Sequence, residues 1–137
     1  MKLVIDCNLW ISFLLGFQNK LMTDLLQSEM TEIYVCNQLL DEIDDVASRD
    51  KIKQRVSEKD IEKLFRLIKA YCIRIPIQKI ANSNIRDKKD LYLLSLAETI
   101  EADYIISGDF DLLVLQQHRT AQIVSPTHFR EIFYRNN

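Results

Sequence analysis

The sequence predicts an α/β fold with three layers, α/β/α, around a central, mainly parallel sheet of about five strands. Two observations lead there. Short apolar runs of strand length, at Lys2–Ile5, residues 33–36 and Tyr104–Ile106, alternate with segments whose apolar residues recur at helical spacing. Only two glycines and two prolines occur in 137 residues, which disfavours turn-rich all-β architectures and leaves room for many helices. Strands alternating with helices call for a parallel sheet covered on both faces. With 47% hydrophobic residues the chain can bury one substantial core but not comfortably two, so residues 1–137 are read as a single domain.

Each element has a local reason. The first strand stops at Asp6, and Leu9, Ile11, Phe13 and Leu14, then Leu21, Met22, Leu25 and Leu26, give two helices interrupted near Gly16. The strand at 33–36 leads into a helix over 38–47. Ser57-Glu58-Lys59-Asp60 has the S-x-x-D form of a capping box, and Ile61, Leu64, Phe65 and Ile68 continue one helical face to near Cys72. Residues 73–77 read as a short edge strand limited by Pro76, followed by a polar loop over 78–86. A helix then starts at Asp87 or Asp90 and passes through Leu91, Leu94 and Ala97. After the Tyr104–Ile106 strand come a short helix over 112–115 and a last strand at 123–124. Ser125-Pro126 then caps and opens a helix over 127–134.

The N-terminus lacks the long apolar region of a signal peptide, and no apolar run reaches membrane-spanning length, so a cytoplasmic protein without membrane association is expected. Cys7, Cys36 and Cys72 are odd in number, widely spaced and set among apolar residues, as small core side chains in a reducing compartment would be. His118 and His128 stand apart from any metal-binding pair and are expected in surface or packing roles. The net charge of −2 argues against nonspecific coating of nucleic acid. Its distribution is uneven, since residues 49–89 hold 13 of the 18 basic and 5 of the 20 acidic residues. Lys51, Lys53, Arg55, Lys59, Lys63, Arg66 and Lys69 can simply solvate helix faces, or they can form a phosphate-contacting rim around an acidic centre.

That centre is suggested by four acids. Asp6 and Asp109 each follow a short apolar strand, so both should emerge at the carboxyl edge of the sheet, where α/β proteins bind ligands. Glu42, in the helix after the second strand, and Asp90, at a helix start, can face the same edge. Singly, each has an ordinary explanation: Asp6, Asp90 and Asp109 as helix caps, Glu42 as one exposed acid beside Asp41, Asp44 and Asp45. Together they would repel one another unless a hard divalent cation compensates, and oxygen-only ligation favours magnesium or manganese over zinc. Asp87 and Asp111 fit either an outer shell or loop and cap positions. Phosphate-loop, nucleophile-elbow and dinucleotide-binding glycine motifs are missing from the sequence.

The motifs in their order resemble the PIN-domain ribonucleases over nearly the full length, and in particular the VapC-like toxin components of bacterial and archaeal toxin–antitoxin systems. Val4-Ile5-Asp6-Cys7-Asn8 is similar to the family's hydrophobic D-T-N opening, and Leu40-Asp41-Glu42-Ile43 to its helix with the second acid. Arg86-Asp87-Lys88-Lys89-Asp90 resembles the R-D-P-x-D segment, and Ala102-Asp103 through Ser107-Gly108-Asp109-Phe110-Asp111-Leu112-Leu113 the A-D-x-x-x-T-G-D-x-D-L-L signature. Cys7 and Ser107 replace the usual threonines, and Lys88 stands where proline is common. The resemblance implies a PIN-like fold in which Asp6, Glu42, Asp90 and Asp109 bind one or two Mg2+ or Mn2+ ions for hydrolysis of RNA. Asn8 and Ser107 would hydrogen-bond to ligands, substrate or water. It also implies an antitoxin partner and a homodimer. A haloacid-dehalogenase-like phosphatase would want D-x-D where Asp6-Cys7-Asn8 stands, and a receiver domain paired acids there. A housekeeping RNA-processing nuclease and a non-catalytic PIN-like scaffold are the remaining alternatives.

Overall fold

Three consecutive residues of the first strand, Leu3, Val4 and Ile5, are all fully buried. Successive side chains of a strand point to opposite faces, so this sheet is covered on both sides, as a parallel α/β sheet must be. The computed structural model describes residues 1–78, 81, 83 and 90–135. The order is β1 (Lys2–Ile5), α1 (Cys7–Leu14), α2 (Asn19–Gln27), β2 (Glu32–Val35), α3 (Asn37–Ala47), α4 (Asp50–Lys53), α5 (Glu58–Tyr71), β3 (Cys72–Arg74), α6 (Leu91–Ile100), β4 (Tyr104–Ile106), α7 (Phe110–Leu113), β5 (Gln117–His118), β6 (Ala121–Val124) and α8 (Pro126–Arg135).

The strands form one sheet in the order β3-β2-β1-β4-β6-β5, parallel except where β5 runs antiparallel to β6. This is the three-layer α/β/α arrangement expected from the sequence. From β1 the chain steps outward to β2 and β3, then returns to lay β4 on the other side of β1. The direction of winding therefore reverses between β1 and β4, which opens a crevice beyond their carboxyl ends.

Local chemistry sets the boundaries. The capping box at Ser57 forms as predicted: its hydroxyl accepts from the Asp60 amide at 3.2 Å, and the Asp60 carboxylate accepts from the Ser57 amide at 2.9 Å. Ser125 caps α8 by accepting from the His128 amide at 3.1 Å, and Pro126 opens that helix. The strand expected over 73–77 is shorter and earlier, Cys72–Arg74, and forms the edge as anticipated. Two elements lacked a sequence signature. The four-residue α4 follows α3 after Ser48 and Arg49 and buries Ile52, and β5 returns to β6 through a two-residue turn in which Arg119 adopts φ 55° without the glycine or asparagine that usually marks such hairpins. The polar loop expected over 78–86 and the alternative helix start at Asp87 fall largely outside the described residues.

The core joins Trp10 of α1, Leu21, Met22 and Leu25 of α2, Leu39 and Ile43 of α3, Leu93 of α6 and Phe129 of α8 to the strands. Cys7 and Cys36 are buried, and all three cysteines are free thiols. Burial raises each thiol's pKa, that of Cys72 to about 12, so they remain protonated at neutral pH. His118 packs against Glu98 with Nε2 at 3.1 Å from Oε2. Among the described residues, no helix is long and apolar enough to cross a membrane.

Candidate metal centre

The register of β1 against β4 pairs Ile5 with Ile106, which carries the next residues, Asp6 and Ser107, side by side into the crevice. The Asp6 amide donates to the Ile106 carbonyl at 3.0 Å, and the Ser107 amide to the Val124 carbonyl at 3.0 Å, so the sheet holds both backbones. Asp6 and Ser107 are buried, and the Ser107 hydroxyl donates to Asp6 Oδ2 at 2.6 Å. The same hydroxyl oxygen accepts from the Asp109 amide at 3.0 Å, which ties the turn after β4 to the first acid.

Glu42 comes from the second turn of α3 and is half-buried, unlike Asp41, Asp44 and Asp45, which are exposed. Its carboxylate accepts from the Tyr92 hydroxyl, at 3.0 Å on Oε1 and 3.2 Å on Oε2. Burial first, then the charge of Glu42, raises the Tyr92 pKa, so the phenol keeps the proton it donates. Asp90 is buried at the start of α6. Carboxylate oxygens of Asp6, Glu42 and Asp90 all lie within 4.8 Å of one another.

Helix capping explains these acids unevenly. Asp6 and Asp90 occupy N-cap positions, yet neither side chain makes a capping hydrogen bond. Asp109 does cap its helix, with Oδ1 accepting from the Asp111 amide at 3.0 Å. Asp109 is not among the three closely grouped acids, although its charge reaches Asp6. Asn8 is exposed on the first turn of α1, and Asp111 is half-buried on that of α7. Asp87 lies outside the described residues. Lys51, Lys53, Arg55, Lys59, Lys63, Arg66 and Lys69 are all exposed on α4, α5 and the turn between them, while the charge of Arg49, just before α4, is felt at Cys7. Tyr92 was not singled out in the sequence, where it sits inside an apolar helical run; a hydroxyl within Leu91-Tyr92-Leu93-Leu94 was the available signal.

The electrostatics favour a cation. Burial raises the Asp6 pKa, the Ser107 hydrogen bond opposes this, and the charges of Glu42 and Asp109 raise it further. A divalent cation would reverse those repulsions. The donors are all carboxylate oxygens, suited to a hard ion, and one oxygen of each lies within 4.8 Å of the others, close enough for a single ion with metal–oxygen bonds of roughly 2.0–2.6 Å to reach all three. The residues present thus fit a divalent metal.

Clustered acids at the winding reversal of a mostly parallel α/β sheet make an arrangement that could hold a divalent ion. Residues 2–111 match the family model for the PIN domain, and the chain belongs to that family. Its fold is also similar to a chain in the crystal structure of VapBC2 from Rickettsia felis bound to a DNA fragment from their promoter. The TM-score is 0.60 at 12% identity, covering 91% of this chain and 98% of that one. No curated protein is significantly similar to the chain.

Proposed function

We propose that this PIN-domain protein is an Mg2+- or Mn2+-dependent endoribonuclease, acting in the cytoplasm as the toxin of a toxin–antitoxin pair. The observation that carries the reading is the convergence of Asp6, Glu42 and Asp90, from three separate segments, on one crevice of a PIN-domain fold. These three residues would hold the metal, with Asp109, whose charge is felt at Asp6, as a further acid of the site. A divalent ion bound there supplies an acidified water and neutralises charge developing at phosphorus.

The chain's own residues do the rest. Ser107 fixes the orientation of Asp6 and, through the Asp109 amide, the turn after β4. Tyr92 fixes the Glu42 carboxylate. Burial of Asp6 and Asp90 limits competing water, which strengthens every charge interaction in the crevice. Carboxylates facing the crevice can also orient an attacking water toward a phosphodiester. RNA is proposed as substrate from the family resemblance, and a flexible single strand reaches a recessed site more readily than a duplex does. The fold shared with VapBC2 of Rickettsia felis supports an antitoxin as partner, and a homodimer is proposed from the same family resemblance. The grouped acids weigh against a scaffold that has lost its chemistry.

The test is cleavage of a panel of labelled single-stranded RNAs with Mg2+ or Mn2+ by the wild type, Asp6→Asn and Asp109→Asn. Wild-type cutting that EDTA stops and Asp6→Asn abolishes is expected. Equal cutting by all three proteins would sink the site. Growth arrest on expression that disappears with Asp6→Asn separates a toxin from an RNA-processing enzyme.

A further inference from the structure

Phe110 is 73% exposed, the most open large apolar side chain among the described residues. It follows Asp109 directly and opens α7 at the carboxyl end of β4, on the edge where Asp6 ends β1. One turn later Val114 is 58% exposed, and its amide donates to the Phe110 carbonyl at 2.9 Å, so the two side chains share one helical face. The ring follows directly on Asp109, whose amide is tied through the Ser107 hydroxyl to Asp6, and it calls for an occupant.

We propose that Phe110, flanked by Val114, is the stacking platform for one nucleobase of the single strand bound at the Asp6–Glu42–Asp90 site, an inference that rests on the nuclease reading above. The ring lies between Asp109 and Asp111, which repel phosphate, so the part of a nucleic acid that settles there is the uncharged, flat base and not the backbone. A protein interface takes about 800 Å² from each partner, far more than these two side chains offer by themselves. One base, by contrast, covers a single phenyl ring and gains its stacking in full. The position of the ring also suits a bound strand, because Phe110 sits on the β4 side of Asp6, while Arg49, whose charge reaches Cys7 and which makes an exposed ion pair with Asp45 at 3.1 Å, follows α3 on the β2 side. A strand crossing the crevice would meet a cation for its backbone on one side and a ring for its base on the other. The platform would thus set which phosphodiester reaches the acids, without reading base identity.

Binding is measured in an Asp6→Asn background, which prevents cutting, by fluorescence anisotropy. The probes are a labelled single-stranded RNA of about eight nucleotides and an abasic strand of equal length and charge. Phe110→Ala should weaken RNA binding roughly tenfold and leave the abasic strand unaffected. Phe110→Trp should keep RNA affinity, and its emission should be quenched by RNA and not by the abasic strand. Unchanged RNA binding by Phe110→Ala overturns the proposal, as does a loss of the same size for both probes. A change confined to oligomeric state would also overturn it, assigning the ring to a protein contact. If the wild type cuts RNA while Phe110→Ala binds and cuts like it, the platform alone fails. If the wild type cuts no RNA and binds neither probe, the nuclease reading itself has failed.

Discussion

Glu42 shows how one side chain is singled out from a run of acids. Its neighbours Asp41, Asp44 and Asp45 point to solvent, while Glu42 turns toward α6 and meets the Tyr92 hydroxyl. Groups that orient a metal ligand typically contribute ten- to a hundredfold to affinity. Tyr92→Phe is therefore expected to weaken Mn2+ binding about tenfold while leaving the fold intact, and calorimetry that returned the wild-type affinity would show the bond to be incidental. Asp6 gives a second prediction. Its pKa in the folded chain lies above the ordinary 3.8, so the metal-free folded state holds that proton more tightly than the unfolded chain does. The associated stability is fully present below pH 3.8 and is lost as pH rises through the raised folded value. In EDTA, Asp6→Asn should resist urea better than the wild type at pH 7, with the gap narrowing as pH falls toward 4. A gap that stayed constant with pH would separate the effect from ionisation. Asp6 and Asp109 were legible because a charged residue ending an apolar strand has few places to go. The difference between them was not, since only the folded chain reveals that Asp109 caps its own helix and Asp6 does not.

Elements written in local chemistry were the readable ones. The capping box of α5 needs only four adjacent residues, and both of its hydrogen bonds form. Ser57→Ala should lower unfolding free energy by about 1 kcal/mol without altering Mn2+ affinity, because Ser57 belongs to none of the elements that carry the acids. Chemical denaturation and metal titration of the same variant check both halves. The last strand was read at 123–124, within β6, but β5 and its hairpin to β6 were unreadable for the converse reason. Arg119 takes a left-handed conformation with no residue type that announces it, and the hairpin is tied to distant residues, His118 to Glu98 at 3.1 Å and the Thr120 hydroxyl donating to the Ala102 carbonyl at 2.8 Å. The β3 boundary shifted because Pro76 can only limit a strand from outside; it cannot specify where pairing with β2 begins.

At the scale of the whole molecule, strand order does what no motif can. Alternation of strands and helices implied a parallel sheet, but periodicity alone could not say that β4 returns beside β1. It is this return that creates the crevice and brings residues 6 and 107 together across a separation of 101 positions. The uneven charge belongs to the same scale: the cations of α4 and α5 are exposed, and a role for them as a phosphate-contacting rim predicts RNA binding that weakens as salt rises.

The most direct measurement is calorimetric titration of the metal-free protein with Mn2+, comparing wild type, Asp6→Asn, Asp90→Asn and Asp109→Asn, each checked for folding by circular dichroism. Saturable binding is expected in the wild type, lost in the first two variants and only weakened in Asp109→Asn. Folded Asp6→Asn and Asp90→Asn proteins that bind Mn2+ as tightly as the wild type, or a wild type that binds none, would remove the metal centre and the chemistry built on it.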